Sequence, residues 1–174
     1  ASIKNLAASV AMGNKTSAGG TLALNLMLND RRAAIGDSRT TDNSVTVNAT
    51  GRTRVYASND EDILTAAVGA AMSGTENALA GVLSLDVIKG STKAELNQGV
   101  TVNNNVGIDN AGTQQSVQVI ANDVVNVFDF VGSLAGGAKT SAGIALNGGV
   151  IWKNTEARLD GTVYADKAVE VKAN

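Results

Sequence analysis

The chain contains no cysteine, no histidine and no proline. Without cysteine there is neither a disulfide frame nor a thiolate metal site. Without histidine, Ser-His-Asp chemistry and His-ligated zinc are excluded, and the side chain best suited to proton transfer near neutrality is missing. The aromatics are Tyr56, Phe128, Phe130, Trp152 and Tyr164. They are too few for a stacking platform on single-stranded nucleic acid or for the girdles of a membrane barrel. The 14 basic and 16 acidic residues give a formal net charge of -2 without a long run of either sign, so nucleic acid has no basic footprint to bind. No apolar run approaches the ~20 residues of a transmembrane helix. No basic segment leading into an apolar stretch opens the chain.

What the chain has is Gly, Ala, Asn, Val and Thr in abundance, and a repeat. Lys15-Thr16-Ser17-Ala18-Gly19 returns 124 residues on as Lys139-Thr140-Ser141-Ala142-Gly143. At the same offset Gly13 falls on Gly137, Leu22 on Leu146, Ala33 on Ala157 and Val45 on Val169. A third copy lies between them. Leu22-Ala23-Leu24-Asn25-Leu26 matches Leu83-Ser84-Leu85-Asp86-Val87, and Ala33-Ala34-Ile35 corresponds to Ala94-Glu95-Leu96 and Ala157-Arg158-Leu159. The unit is near 62 residues, with copies over about 1–61, 62–123 and 124–174. Such self-similarity marks a repeat architecture. The match is already under way at Ala8, which reads as an interior piece of a longer array.

Each copy runs through a small-residue tract, an alternating apolar stretch, a polar turn and Val-x-Val segments. Period-two alternation with β-branched residues, broken by Gly, Asn and Asp, is a strand pattern. Helix over Asp62–Gly81 is opposed by Gly69 and Gly74. Ala33 to Val45 and Ala157 to Val169 each span 12 residues, whereas Ala94 to Val117 spans 23. The middle copy therefore carries an insertion around Asn103–Gln115, whose turn residues read as an exposed loop. Strands of about 5–6 residues would divide each copy into three rungs. The expected fold is all-β, a parallel β-helix of about eight rungs, roughly 40 Å long at ~4.8 Å per strand. Leu22, Leu24 and Leu26 are expected to stack inward in columns. A sandwich would leave the repeat unexplained.

The succession Ala80-Gly81-Val82-Leu83-Ser84-Leu85-Asp86-Val87-Ile88, then Thr92-Lys93-Ala94-Glu95-Leu96, then Val-x-Val, resembles repeats of large secreted bacterial adhesins. These are the filamentous-haemagglutinin-like and leukotoxin-like exoproteins. The resemblance spans nearly the whole chain through compositional motifs. It implies a right-handed parallel β-helix, export through an outer-membrane translocator and display at the cell surface. It implies attachment to host cells, matrix or other bacteria through a protein or glycan ligand. It carries over no catalytic residue and no cofactor.

Individual candidates are weighed against plainer roles. Asn59-Asp60-Glu61-Asp62 offers oxygen ligands for calcium, but the glycine spacing of known calcium loops is absent, and a solvated turn is the better reading. Arg31, Arg32, Arg52 and Arg54 suggest a basic patch or, more plainly, surface charge pairing with Asp30 and Asp37. Asn14-Lys15-Thr16 and Asn48-Ala49-Thr50 fit the glycosylation pattern as chance would allow. Trp152 suits either sugar stacking or packing in the core or at a strand end, the packing role preferred. No two carboxylates are placed together for polysaccharide cleavage, so no catalytic, cofactor or metal site is assigned. Binding is expected where copies differ, at Asn103, Asn104, Asn105, Asp109, Asn110, Gln114 and Gln115. The expected function is a structural and adhesive segment of an exported surface protein. A polysaccharide-active β-helix, a self-associating stalk and a trimeric head of left-handed coils are the alternatives.

Overall fold

The computed structural model describes residues 1–37, 39, 44–104 and 114–174. Its strands are β1 (Ser2–Gly13), β2 (Thr16–Ile35), β3 (Thr46–Val47), β4 (Arg52–Ser73), β5 (Asn77–Leu96), β6 (Thr101–Val102), β7 (Ser116–Gly136), β8 (Thr140–Leu159), β9 (Thr162–Val163) and β10 (Val169–Ala173). They form three sheets of order β1-β4-β7-β10, β2-β5-β8 and β3-β6-β9. Each strand thus pairs with the third strand along the chain, and the pairing is parallel: Ser2 lies beside Asp62, Gly13 beside Ser73, and Thr101 between Thr46 and Thr162. This is a parallel β-helix solenoid.

The rung count differs from expectation. One copy makes one circuit, so there are three circuits and a fourth begun by β10, rather than eight rungs. The reason is strand length. The small-residue tracts do not break into short strands; they are strands, and β2, β4, β5, β7 and β8 run for 20 to 22 residues. Nothing in the Ala/Gly/Ser/Val alternation forces a turn before Asn14-Lys15 or Gly74-Thr75-Glu76.

The tails also differ. Val169 pairs with Val117, whereas the Val45 carbonyl accepts from Thr101 N at 2.9 Å. Val45 and Val169 are therefore not counterparts. Their equal spacing from Ala33 and Ala157 hides different paths: β3 follows Val45 directly, whereas β9 comes before Val169. The extra residues of the middle copy do lie between β6 and β7.

The chain packs as two compact units, each assembled from parts of all three copies. The second unit (29–60, 90–124, 153–174) takes strand segments from all three sheets. Its core is aliphatic: Val55, Leu96, Val100, Val102, Val117 and Val119 are buried, with Ile35, Val47, Leu159 and Val163 against them. Burial of each such side chain contributes about 1.5–3 kcal/mol.

The first unit (1–28, 61–89, 125–152) is built from two sheets only. Its strands are joined by tight turns that carry the chain from one sheet to the other. Gly74 N and Thr75 N donate to the carbonyls of Gly13 and Asn14 at 3.0 and 2.9 Å, stacking turn on turn. The inward positions are mostly small or polar: Ser17, Ala23, Asn25, Thr65, Ala67, Ala71, Ala78, Ala80, Ser84 and Asp86 are buried. The sheets are correspondingly close. A Cβ added to Gly19 would lie 2.8 Å from the Ala70 carbonyl oxygen and 3.3 Å from the Ala11 Cβ. Val82 packs between Ala23 and Ala67, and toward Met27, Ile63 and Ile88 the interior holds larger side chains. The alternation then sends Leu22, Leu24, Leu26 and Leu28 outward, where all four are exposed. The expected leucine columns exist on the opposite face from the one anticipated, because a leucine side chain does not fit between sheets this close.

Two substitutions separate the faces. Ala67→Leu overfills the interior and should destabilise by about 1–3 kcal/mol or more. Leu6→Thr, at a position 81% exposed, should change stability by no more than about 0.5 kcal/mol. Urea unfolding measures both, and equal effects would contradict the assignment of faces.

Candidate binding surface

Polar residues inside the first unit form a ladder. Asn25 Nδ2 donates to Thr65 Oγ1 at 2.7 Å and to Asp86 Oδ1 at 2.5 Å, while Asn25 Oδ1 accepts from Asn5 Nδ2 at 2.9 Å. Farther along, Asn147 Nδ2 donates to Asp129 Oδ2 at 2.9 Å. Asp86 and Asp129 come within hydrogen-bonding reach of one another. Asp86 Oδ2 and Asp129 Oδ1 are both buried without a hydrogen-bond partner. Burial pushes the Asp86 carboxyl above the ordinary carboxylate range, and the Asp129 carboxyl pushes the same way, against hydrogen bonds from Asn25 and Thr65. Sequence spacing had brought no two carboxylates together; this pair meets across facing sheets.

The insertion is anchored by two buried amides. Asn103, at φ 58°, accepts from Ala49 N through Oδ1 at 3.0 Å. Gln115 Nε2 donates to the Ala49 carbonyl at 2.7 Å. The two side chains thus hold both polar groups of one backbone residue on β3's exit. Asn103 and Gln115 are buried, which corrects their assignment to an exposed binding loop: their side chains point inward, with Asn103 Oδ1 and Gln115 Nε2 engaged by Ala49. Asn104 and Gln114 are exposed. Asn105, Asp109 and Asn110 lie outside the described residues.

Other expectations shift as well. Asn59-Asp60-Glu61-Asp62 is not a turn but the middle of β4, so its side chains alternate, with Asn59 and Glu61 buried. Asn59 accepts from Asn29 at 2.7 Å and donates to Asp123 at 3.3 Å. Asp123 in turn pairs with Lys153 at 3.3 Å and accepts from Thr92 at 2.9 Å. Among the described residues no group of three or more acidic side chains is placed to hold a metal. Arg32 pairs with Glu95 at 2.6 Å, one circuit on. Arg54 lies 4.1 Å from the Tyr56 ring centre. Asn14 sits on the turn between β1 and β2. Trp152 is exposed, with the Lys89 ammonium 5.9 Å from its ring, so it does not pack in the core or at a strand end as expected.

What sequence reasoning missed is the outer surface of the first unit. Leu22, Leu24, Leu26 and Leu28 on β2, Leu79, Leu83 and Leu85 on β5, and Ile144, Leu146 and Trp152 on β8 are exposed together. On the other sheet Leu6, Met12, Phe128, Phe130 and Leu134 are exposed too. The signal was present in Leu22-Ala23-Leu24-Asn25-Leu26, where one alternating set is large and the other small or polar. Choosing which set faces inward required knowing how close the facing sheet lies. Comparison with known protein families, curated proteins and solved structures finds no match to this chain.

Two outcomes test the internal contacts. Asp86→Asn keeps the acceptor for Asn25 and supplies a donor to Asp129, so it should stabilise at neutral pH by on the order of 1 kcal/mol. A raised folded-state pKa means that wild-type stability falls as pH rises through that value, which lies above 3.8. The advantage of the variant should therefore shrink on acidification; thermal melts across pH would show it, and a pH-independent difference would refute the raised Asp86 pKa. Asn103→Ala places an ordinary side chain at a left-handed φ and orphans Ala49 N. It should cost about 1–3 kcal/mol by the same melts.

Proposed function

We propose that the chain is a structural and adhesive segment of an exported bacterial surface protein, attaching to host cells, matrix or other bacteria. The observation that carries this reading is the set of exposed apolar columns on the first unit. The parallel ladder repeats each outward residue from circuit to circuit, so a rigid framework presents one chemistry over a broad surface. Its interior does not need those side chains, which leaves them available for contact. The resemblance of the repeats to secreted exoproteins supplies the setting: export through an outer-membrane translocator and display outside the cell. No helix among the described residues is long and apolar enough to cross a membrane.

A polysaccharide-cleaving role is less well supported. The acid pair it would draw on, Asp86 with Asp129, directs its unpaired oxygens into the space between two sheets, where a glycan chain does not reach.

The test is attachment of the purified chain to epithelial cells, immobilised matrix proteins and whole bacteria. Saturable attachment to at least one of these, above that of an unrelated β-solenoid, is expected. Attachment to none would refute the reading, as would turnover of a polysaccharide panel abolished by Asp86→Asn.

A further inference from the structure

The outward face of β2, β5 and β8 in the first unit carries an open apolar groove of about 740 Å³, with Gly20 and Gly81 in its lining and Leu22, Leu79 and Leu83 beside them. Leu24 and Leu85, two residues beyond Leu22 and Leu83 on the same outward face, are exposed as well. Neither glycine is demanded by the fold. A Cβ at either would meet no atom within 4 Å, and neither has a positive φ. Glycine inside a strand is destabilising relative to residues with side chains, yet it occupies the same outward position in two successive circuits. The fold leaves this groove open at its own cost.

The face carries little charge. Over Thr16–Leu28, Asn77–Ile88 and Thr140–Trp152 the single charged residue is Asp86, which points inward and is buried. At the margin the Lys89 ammonium lies 5.9 Å from the Trp152 ring. One ammonium gives polyanions and charged protein patches little to pair with. The exposed side chains amount to on the order of 1,000 Å² of apolar surface, well beyond the largest patch of a typical soluble monomer. Two such faces in contact would bury roughly 2,000 Å², the range of stable dimers.

We propose that this face is a self-association surface whose partner is a second copy of the chain. The complementarity is internal to the face. A two-fold axis through Leu22 and Leu83 lays Leu24 and Leu85 of one copy over Gly20 and Gly81 of the other, and the converse, as an isologous contact requires. The proposal deepens the attachment reading by naming the partner, and rests on it for the setting in which copies meet.

Analytical ultracentrifugation of the chain over a concentration series tests it. The wild type shows a monomer–dimer equilibrium. Gly81→Val fills the groove without meeting the fold, and weakens the dimer by about tenfold or more although it adds apolar area. Leu24→Gln removes apolar contact opposite the groove and acts in the same direction. Circular dichroism and melting confirm that both variants keep the wild-type strand content. A chain that stays monomeric throughout overturns the proposal and leaves cell attachment standing. A Gly81→Val dimer as tight as wild type also overturns it, since indiscriminate apolar adhesion grows with area. Uptake by phosphatidylcholine vesicles with loss of the dimer assigns the face to lipid and overturns it likewise. An intact dimer without cell attachment supports the proposal and removes only the attachment reading.

Discussion

The parallel ladder is the constraint on which the rest of the structure depends. Each long strand is hydrogen-bonded to its counterpart one circuit along, so a side chain stacks on the residue at the same place in the next copy. Interior positions cannot be adjusted one at a time. In the first unit the sheets lie so close that Gly19 has no room for a Cβ, and that closeness propagates to its neighbours in every circuit. Ala23, Ala67, Ala71 and Ala80 follow from it. So does the outward projection of the leucines, since alternation leaves them no other face.

Stacking has a different consequence for polar residues. An amide column satisfies itself, because each side chain both donates and accepts. Asn25 does this with Asn5, Thr65 and Asp86. A carboxylate breaks the pattern, since it only accepts. Where Asp86 meets Asp129, two acceptors face each other and two oxygens go unpaired. The second unit handles buried acids differently: Asp123 has Lys153, Thr92 and Asn59 around it, and Glu95 has Arg32. Breaking such a buried pair is costly, because it leaves one charge uncompensated.

The amide clamp on Ala49 and the apolar surface of the first unit place function-bearing and fold-bearing residues in an unexpected order. Asn103 and Gln115, polar and turn-forming in the sequence, serve the framework by closing the insertion onto β3's exit. Leucines that look like core residues form the contact surface. Residue type alone misassigned both. Asn103 is buried because its amide substitutes for a backbone partner, and Leu24 is exposed because the interior beside it is only deep enough for Ala23 and Asn25.

By itself the sequence determined the class of fold, the length of the unit and the place of the insertion. These follow from periodicity: alternation means strand, and a recurring motif means that copies stack. It also pointed to the absence of histidine and cysteine chemistry, which composition decides outright. Tertiary structure decided how many strands a circuit holds, which alternating set faces inward, and which carboxylates meet. Those outcomes depend on the separation between sheets and on partners about 60 residues away in the chain. Leu22-Ala23-Leu24-Asn25 can be buried by either edge of its alternation. Only the facing strand, with Gly19 pressed against Ala70, selects the small edge for the interior.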